Sequence, residues 1–126
     1  MTEIRLEHVS YAYGQERILE DINLKVTSGE VVSILGPSGV GKTTLFNLIA
    51  GILEVQSGRI VLDGEENPKG RVSYMLQKDL LLEHKTVLGN IILPLLIQKV
   101  DKAEAIARAD EILATFQLTA VRDKYP

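Results

Sequence analysis

The sequence contains no cysteine and no tryptophan, and aromatic residues make up only 5% of its 126 positions. Without cysteine the chain can form neither a disulfide nor a thiolate metal site, which suits a reducing compartment. The formal net charge is −3, so no basic excess indicates a nucleic-acid partner, and we expect none. An apolar content of 45% is enough for the modest core of one domain or of part of one.

Long apolar runs are also missing. The most apolar stretch, residues 91–97, contains Pro94 and is too short to span a bilayer. The first residues lack the apolar core of a secretory signal peptide. No D-x-x-G occurs, and Gln98-Lys99-Val100-Asp101 departs from the guanine-reading N-K-x-D pattern at its first residue, so a GTPase is disfavoured.

The most specific pattern that is present is G-x-x-x-x-G-K-[ST] at residues 36–43. An apolar run from Val31 to Leu35 precedes it and predicts a buried strand, and the segment after it predicts a helix that begins near Lys42. In this context between strand and helix, the pattern is typical of a phosphate-binding loop. The predicted nucleotide-binding residues are Gly36, Pro37, Ser38, Gly39, Val40, Gly41, Lys42, Thr43 and Thr44.

The chemistry of this loop follows from its residue types. Its glycines allow successive backbone N–H groups to point at phosphate oxygens, and the helix start adds a positive dipole end. Lys42 is predicted to place its charge on the β- and γ-phosphates, and the Thr43 hydroxyl to coordinate Mg²⁺. Thr44 is predicted to donate on the α-phosphate side.

Hydrophobic periodicity predicts the other elements. We expect strands over residues 2–9, 22–26, 58–64 and 72–76, with a turn at Tyr11 to Gly14, an Asp63-Gly64 turn and a polar connector over residues 65–70. The first helix is predicted to turn an apolar stripe of Leu45, Phe46, Leu48 and Ile49 toward a sheet and to end at Gly51.

Two further helices are predicted in the second half of the chain. One follows Thr86 and is expected to break near Pro94. The other opens with the capping box Asp101-x-x-Glu104, and Glu104 is expected to pair with Arg108 one turn later. Its apolar face would consist of Ala105, Ile106, Ala109, Ile112, Leu113 and Phe116.

In this order, the motifs resemble the front half of an ABC transporter ATP-binding subunit of the bacterial importer type. The resemblance covers essentially the whole chain. It includes the aromatic-Gly turn, the phosphate loop, Ser57-Gly58-x-Ile60, Asp63-Gly64, Tyr74-Met75-Leu76-Gln77, Leu80-Leu81, Thr86-Val87-Leu88-Gly89-Asn90-Ile91 and Asp123-Lys124-Tyr125-Pro126.

The resemblance implies an α/β fold, the P-loop NTPase core of an ABC ATPase. It divides the chain into an antiparallel β-subdomain (residues 1–30 and 57–70), a P-loop core (31–56 and 71–79) and the start of the helical subdomain (80–126). In the family, the signature motif, the Walker B strand with its catalytic Glu and the switch His follow the Tyr-Pro pair. We therefore expect residues 1–126 to be an N-terminal fragment of an ATPase, unable to hydrolyse ATP alone.

The resemblance also implies roles for single residues, with ATP and Mg²⁺ as the cofactors. Tyr13 matches the aromatic that stacks on adenine, with Tyr11 as a substitute, although both rings could instead pack on the sheet. Gln77 matches the glutamine that reaches Mg²⁺ and the attacking water. The implied catalytic residues are thus Lys42 and Gln77, and the metal ligands are Thr43 and Gln77.

The implied partners are a transmembrane permease, docked on Asp79 to Leu95, and a second ATP-binding subunit in a homodimer of the full-length protein. The protein would then lie peripherally on the cytoplasmic face of the membrane. Alternatively, residues 79–95 could belong to the ordinary core of the helical subdomain, without contact to a partner. The short link from Gly64 to Val72 favours importers of nitrate, sulfonates, taurine or thiamine precursors.

Several alternatives stay open at this point. An exporter-type subunit is suggested by residues 90–95, and a soluble ABC ATPase of repair or translation would need no apolar segment after Gln77. A P-loop kinase fits poorly, because few arginines are available for a lid. Asp63 could mimic a Walker B carboxylate but matches a surface turn, and His8 and His84 are most simply structural or solvated.

Overall fold

A computed structural model of the protein describes residues 3–66, 69–78 and 80–126. The chain forms two compact units, Met1–Met75 and Leu76–Pro126. Residue 2 of the first predicted strand, residues 67–68 of the predicted connector and Asp79 at the start of the predicted docking segment lie outside the described residues. The division into three subdomains stays a prediction.

The first unit contains an antiparallel sheet with strand order β2-β1-β3-β4. Asp63 and Gly64 connect the last two strands with φ angles of 52° and 85°, as a hairpin turn with two left-handed residues requires. The predicted Asp-Gly turn is therefore confirmed, and the predicted connector begins with a short strand instead of a loop. The strands are β1 (Glu3–Tyr13), β2 (Glu16–Thr27), β3 (Ser57–Leu62) and β4 (Glu65–Glu66).

The predicted turn at Tyr11 to Gly14 is wrong, because β1 continues to Tyr13 and the chain turns at Gly14 and Gln15. Pairing with β2 extends the strand beyond what its own alternation predicts. The ladder is irregular here: Tyr11 faces Leu19 and Ala12 faces Arg17, so Ile18 is an extra residue on β2.

The predicted strands at residues 31–35 and 72–76 are also wrong. Both segments lack ladder hydrogen bonds to any residue that the structure describes. Val31 and Leu35 keep 95% and 91% of their surface exposed. A strand forms only where a neighbouring strand supplies its hydrogen bonds, and no described residue supplies them here, although Ile34 is partly buried against the core of the first unit.

The predicted helix after the loop forms α1 (Lys42–Ile49). Leu45 and Leu48 are buried against the sheet, while Phe46 is exposed, so the predicted apolar stripe is wrong at that residue. Gly51 has a φ of 70°, and its N–H donates to Leu48 O at 3.1 Å, as expected of the glycine that ends a helix. The core that α1 shares with the sheet contains Leu6, Val9, Leu19, Leu45, Leu48 and Ile60.

The second unit consists of α2 (Val87–Ile97), α3 (Lys102–Thr115) and a short 3₁₀ helix (Thr119–Val121). Ile92 of α2 packs on Ala105 and Ala109 of α3. The expected break at Pro94 is wrong, because the helix continues through this residue. Packing of Ile91, Ile92 and Leu95 against α3 outweighs the loss of one backbone hydrogen bond.

Helix α3 begins after Asp101 as the sequence predicts, but in the described residues Glu104 pairs with Arg108 and does not accept from the Asp101 N–H, so the predicted capping box is half formed. The Asp101 side chain caps it by accepting a hydrogen bond from Ala103 N at 2.9 Å. Glu104 forms the predicted ion pair with Arg108. Ile112 and Phe116 are exposed, so the buried face of α3 is narrower than predicted and consists of Ala105, Ala109 and Leu113, with Ile106 partly buried.

The segment after α3 closes the N-terminus of α2. The backbone N–H groups of Val87 and Leu88 donate to Lys124 O at 2.8 Å and to Arg122 O at 2.9 Å. Arg122 is in turn tied to α3, because its Nε lies 2.7 Å from Asp110 Oδ1. The hydrogen bond from Arg122 lowers the pKa of Asp110.

This ion pair predicts a pH dependence of the second unit. Because the pKa of Asp110 is lower in the folded state than in the unfolded chain, its contribution to stability is present above the unfolded pKa and lost as pH falls through the folded value. We expect Arg122→Gln to return the pKa of Asp110 toward its ordinary value, measured by NMR titration of the carboxyl carbon. Equal midpoints in the two proteins would contradict the assignment.

Candidate nucleotide-binding site

The loop over residues 36–41 curls at two glycines before α1 begins. Gly39 and Gly41 have φ angles of 82° and 99°, in the left-handed region. Gly41 is the N-cap of α1, and no side chain caps the helix there. The N–H groups of Lys42 and Thr43 have no acceptor within the described residues, so they are free to bind an anion at the positive end of the helix.

The Lys42 side chain lies over the same loop. Its Nζ donates to Gly36 O at 2.5 Å and to Pro37 O at 2.6 Å. The two carbonyl oxygens hold the ammonium group where phosphate oxygens, which carry more negative charge, would compete for it. The loop therefore brings a cation and free N–H groups together, which is the donor set that a polyphosphate needs.

The remaining predicted residues lie in the same loop and at the start of α1. Pro37, Ser38 and Val40 are exposed in the loop, and Thr43 is exposed at the start of α1. Thr44 is buried, with 7% of its surface exposed. All nine predicted residues thus form one continuous segment, and their individual roles toward a nucleotide stay predictions.

Gly41 also joins the loop to the β1–β2 hairpin. A Cβ at this position would lie 2.8 Å from Ile18 Cγ2, 3.0 Å from Leu19 Cδ2 and 3.1 Å from Ile18 O. Ile18 is the extra residue of the irregular ladder, so the bulge turns it toward the loop. This contact places the helix start beside the hairpin that carries the predicted aromatic residue.

Tyr11 and Tyr13 differ in burial. Tyr11 packs against the core of the first unit. Tyr13 keeps 51% of its surface exposed, and its ring meets that of Tyr11 edge to face, with centroids 5.1 Å apart and an interplanar angle of 77°. The geometry therefore favours Tyr13 over Tyr11 as a surface on which a planar base could stack.

Gln77 lies in the second unit, in an exposed bend that follows the segment 72–76. The site described in the first unit consists of the loop and the hairpin, and does not include this residue. Its predicted contact with Mg²⁺ and the attacking water stays a prediction.

The other candidate polar residues have structural partners. Asp63 Oδ1 accepts from Glu3 N at 3.0 Å and thereby fixes the turn after β3. His8 Nδ1 lies 2.7 Å from Asp21 Oδ1, at an irregular position of the β1–β2 ladder. Over residues 3–66, 69–78 and 80–126, no three or more His, Asp or Glu side chains are grouped so that they could hold a metal ion.

Two residues near the site are not predicted by the sequence analysis. Ile18 contacts the loop, and Gln56 binds the backbone of Ala12 from a distance of 44 residues along the chain. Neither lies in a recognisable motif. The sequence of β2 does carry one signal: Leu19, which is buried, is out of phase with Ile22, Leu24 and Val26, and a break in the alternation between residues 19 and 22 indicates an irregular ladder near Ile18.

Comparison with known proteins shows the family. The family model described as ABC transporter matches residues 19–126, and the chain belongs to this family. The spermidine/putrescine import ATP-binding protein PotA of Aggregatibacter actinomycetemcomitans is 40% identical over 128 aligned positions, covering 98% of this chain and 34% of that protein. The sulfate/thiosulfate import ATP-binding protein CysA of Thermosynechococcus vestitus is 38% identical, covering 98% of this chain and 38% of that protein.

Solved structures show the same fold. One ATP-binding cassette of an ABC transporter superposes with a TM-score of 0.82 at 26% identity, covering 99% of this chain and 58% of that chain. A dimeric cassette in a post-hydrolysis state, bound to ADP and Pi, superposes with a TM-score of 0.78 at 27% identity, covering 98% and 61%. The predicted α/β class of an ABC ATPase is confirmed.

Two further facts bear on the whole protein. The chain spans about a third of the length of the curated relatives that it matches. In the described part of the chain, no helix is both long enough and apolar enough to cross a bilayer.

The contact at Gly41 predicts a specific cost of substitution. Gly41→Ala should destabilise the first unit by about 1–3 kcal/mol more than Gly39→Ala, because both introduce left-handed strain but only the first collides with Ile18. A Cβ at Gly39 meets nothing within 4 Å, which makes that variant the matched control. Urea unfolding of the two variants measures the difference, and equal midpoints would argue against the contact.

Proposed function

We propose that the protein is the ATP-binding subunit of an ABC importer, which couples ATP binding and hydrolysis to solute transport. The observation that carries this proposal is the loop, where the Lys42 ammonium and the free N–H groups at the start of α1 converge. The import ATP-binding relatives support the direction of transport. The narrower group with nitrate, sulfonate, taurine or thiamine-precursor importers stays a prediction, because the relatives named above carry other solutes in their names.

The proposed site holds ATP as substrate through residues of the first unit. The backbone of Gly39 and Gly41 and the N–H groups of Lys42 to Thr44 would bind the phosphates, and Lys42 would balance the negative charge of the β- and γ-phosphates. Thr43 is exposed, and its hydroxyl is a suitable ligand for Mg²⁺. When bound, the metal ion would neutralise charge that develops on the transferring phosphoryl group. We assign Gln77 to the attacking water, and Tyr13 to the adenine ring.

An apolar groove in the second unit supports the proposed permease partner. The groove has a volume of about 400 Å³, and the exposed Leu80, Leu81 and Pro94 form part of its wall. An exposed apolar surface in a protein of net charge −3 is more typical of a partner site than of a solvated face. We therefore assign the described part of segment 79–95 to permease docking, and place the protein on the cytoplasmic face of the membrane. The similar cassette that was solved as a dimer supports the proposal that the full-length protein forms a homodimer.

Removal of the loop cation tests nucleotide binding. Lys42→Ala should weaken the binding of Mg²⁺-ATP by about 10- to 100-fold, because a hydrogen-bonded charge pair with phosphate is lost. Lys102→Ala, which removes an exposed lysine at the start of α3, is the control and should bind as the wild type does. Isothermal titration calorimetry measures both affinities.

Phosphate release by the wild type and by Lys42→Ala tests the hydrolysis step. The polypeptide of residues 1–126 should bind ATP without releasing phosphate, because the catalytic Glu expected of the family is not among its residues. Phosphate release that depends on Lys42 would contradict this expectation. Equal ATP affinity in the wild type and in Lys42→Ala would contradict the assigned site.

Photocrosslinking tests the permease surface. A benzoylphenylalanine at position 81 of the full-length protein, in its own cells, should form an adduct with an integral membrane protein that mass spectrometry identifies as a permease subunit. The matched control places the same group at Ile112, an exposed apolar position on α3 outside the groove. Adducts with soluble proteins alone would favour the alternative, a non-transport ABC ATPase.

A further inference from the structure

The Gln56 side chain forms hydrogen bonds with β1 beyond the point where the backbone pairing of β1 with β3 ends. The pairing of β1 with β3 ends at Ser10 and Ser57, after a register shift that follows Glu7. Two residues further along β1, the Gln56 side chain takes the place of a strand: Ala12 N donates to Gln56 Oε1 at 2.9 Å, and Gln56 Nε2 donates to Ala12 O at 3.0 Å. One side-chain amide therefore satisfies both backbone groups of Ala12, as a neighbouring strand would.

Ala12 lies between the two tyrosines of the site. Its other edge faces β2, where it stands opposite Arg17. Because side chains alternate along a strand, Tyr11 and Tyr13 project on the same face on either side of Ala12, in agreement with the contact between their rings. The backbone at Ala12 is thus held from both edges, and its direction sets where the Tyr13 ring lies.

We propose that Gln56 is a positioning residue for base recognition: its amide holds the end of β1 so that Tyr13 presents its exposed ring to a purine base. This inference rests on the proposed function, since it concerns the same ATP site. Gln56 acts through Ala12 and Tyr13 on the base, and has no part in binding the phosphates. The loop is held by other contacts on the same hairpin, those of Gly41 with Ile18 and Leu19 of β2.

Binding of ATP and of inorganic tripolyphosphate, which carries phosphates without a base, separates these roles. Gln56→Ala should weaken ATP binding by about three- to tenfold, because two hydrogen bonds that fix the strand end are lost, and should leave tripolyphosphate affinity unchanged. Gln98→Ala, at an exposed glutamine that follows α2, is the matched control and should change neither.

A double-mutant cycle tests whether Gln56 acts through Tyr13. In a Tyr13→Ala background, Gln56→Ala should have no further effect on ATP affinity, whereas a general loss of folding would add to it. NMR amide exchange gives a readout without nucleotide: the Ala12 N–H should exchange faster in Gln56→Ala than in the wild type. Gln56→Asn, one methylene shorter, should behave like the alanine variant.

The outcomes distinguish this inference from the proposed function. Equal losses for ATP and tripolyphosphate, additive effects with Tyr13→Ala or unchanged ATP binding in Gln56→Ala would overturn the positioning role while leaving the loop assignment intact. If the wild-type protein bound ATP no more tightly than tripolyphosphate, the base would contribute nothing to binding and the positioning role would be overturned as well. A wild-type protein that binds neither compound would overturn the proposed function, and the inference with it.

Discussion

The contact between Gly41 and the β1–β2 hairpin is the constraint on which the candidate site depends. A left-handed residue without a side chain allows α1 to begin directly against Ile18 and Leu19, with the N–H groups of its first turn uncapped. The same hairpin carries Tyr13. One close approach therefore holds the proposed phosphate-binding segment beside the hairpin that carries Tyr13, although Tyr13 and Gly41 belong to different elements.

The parts of the fold that depend on local sequence could be predicted. The start of α1 at Lys42, the Asp63-Gly64 turn and the Asp101 cap all result from residues that act on their immediate neighbours through backbone conformation or a short hydrogen bond. The curl of the loop belongs to this group, because Gly39 and Gly41 adopt left-handed conformations directly before α1 begins. Family membership followed from the same ordered motifs.

The parts that depend on distant partners could not be predicted. An apolar run such as residues 31–35 favours a strand, but a strand forms only where another strand supplies its hydrogen bonds. Conversely, β1 extends to Tyr13 because β2 pairs with it. Pro94 remains within α2 for a related reason, since packing on α3 compensates for the lost backbone bond. In each case tertiary context, which the periodicity of a single segment does not contain, decides the outcome.

The same distinction separates the two halves of nucleotide recognition. Phosphate binding requires backbone N–H groups and a cation, and the motif supplies both within nine consecutive residues, 36–44. Base recognition requires a ring at a defined position, and in the proposed site the strand that carries Tyr13 is held at Ala12 by an amide contributed from 44 residues away. A motif can therefore identify a site for polyphosphate, while the preference for one base is a property of the folded sheet. Substitutions that leave the loop untouched can then change base preference without loss of phosphate binding.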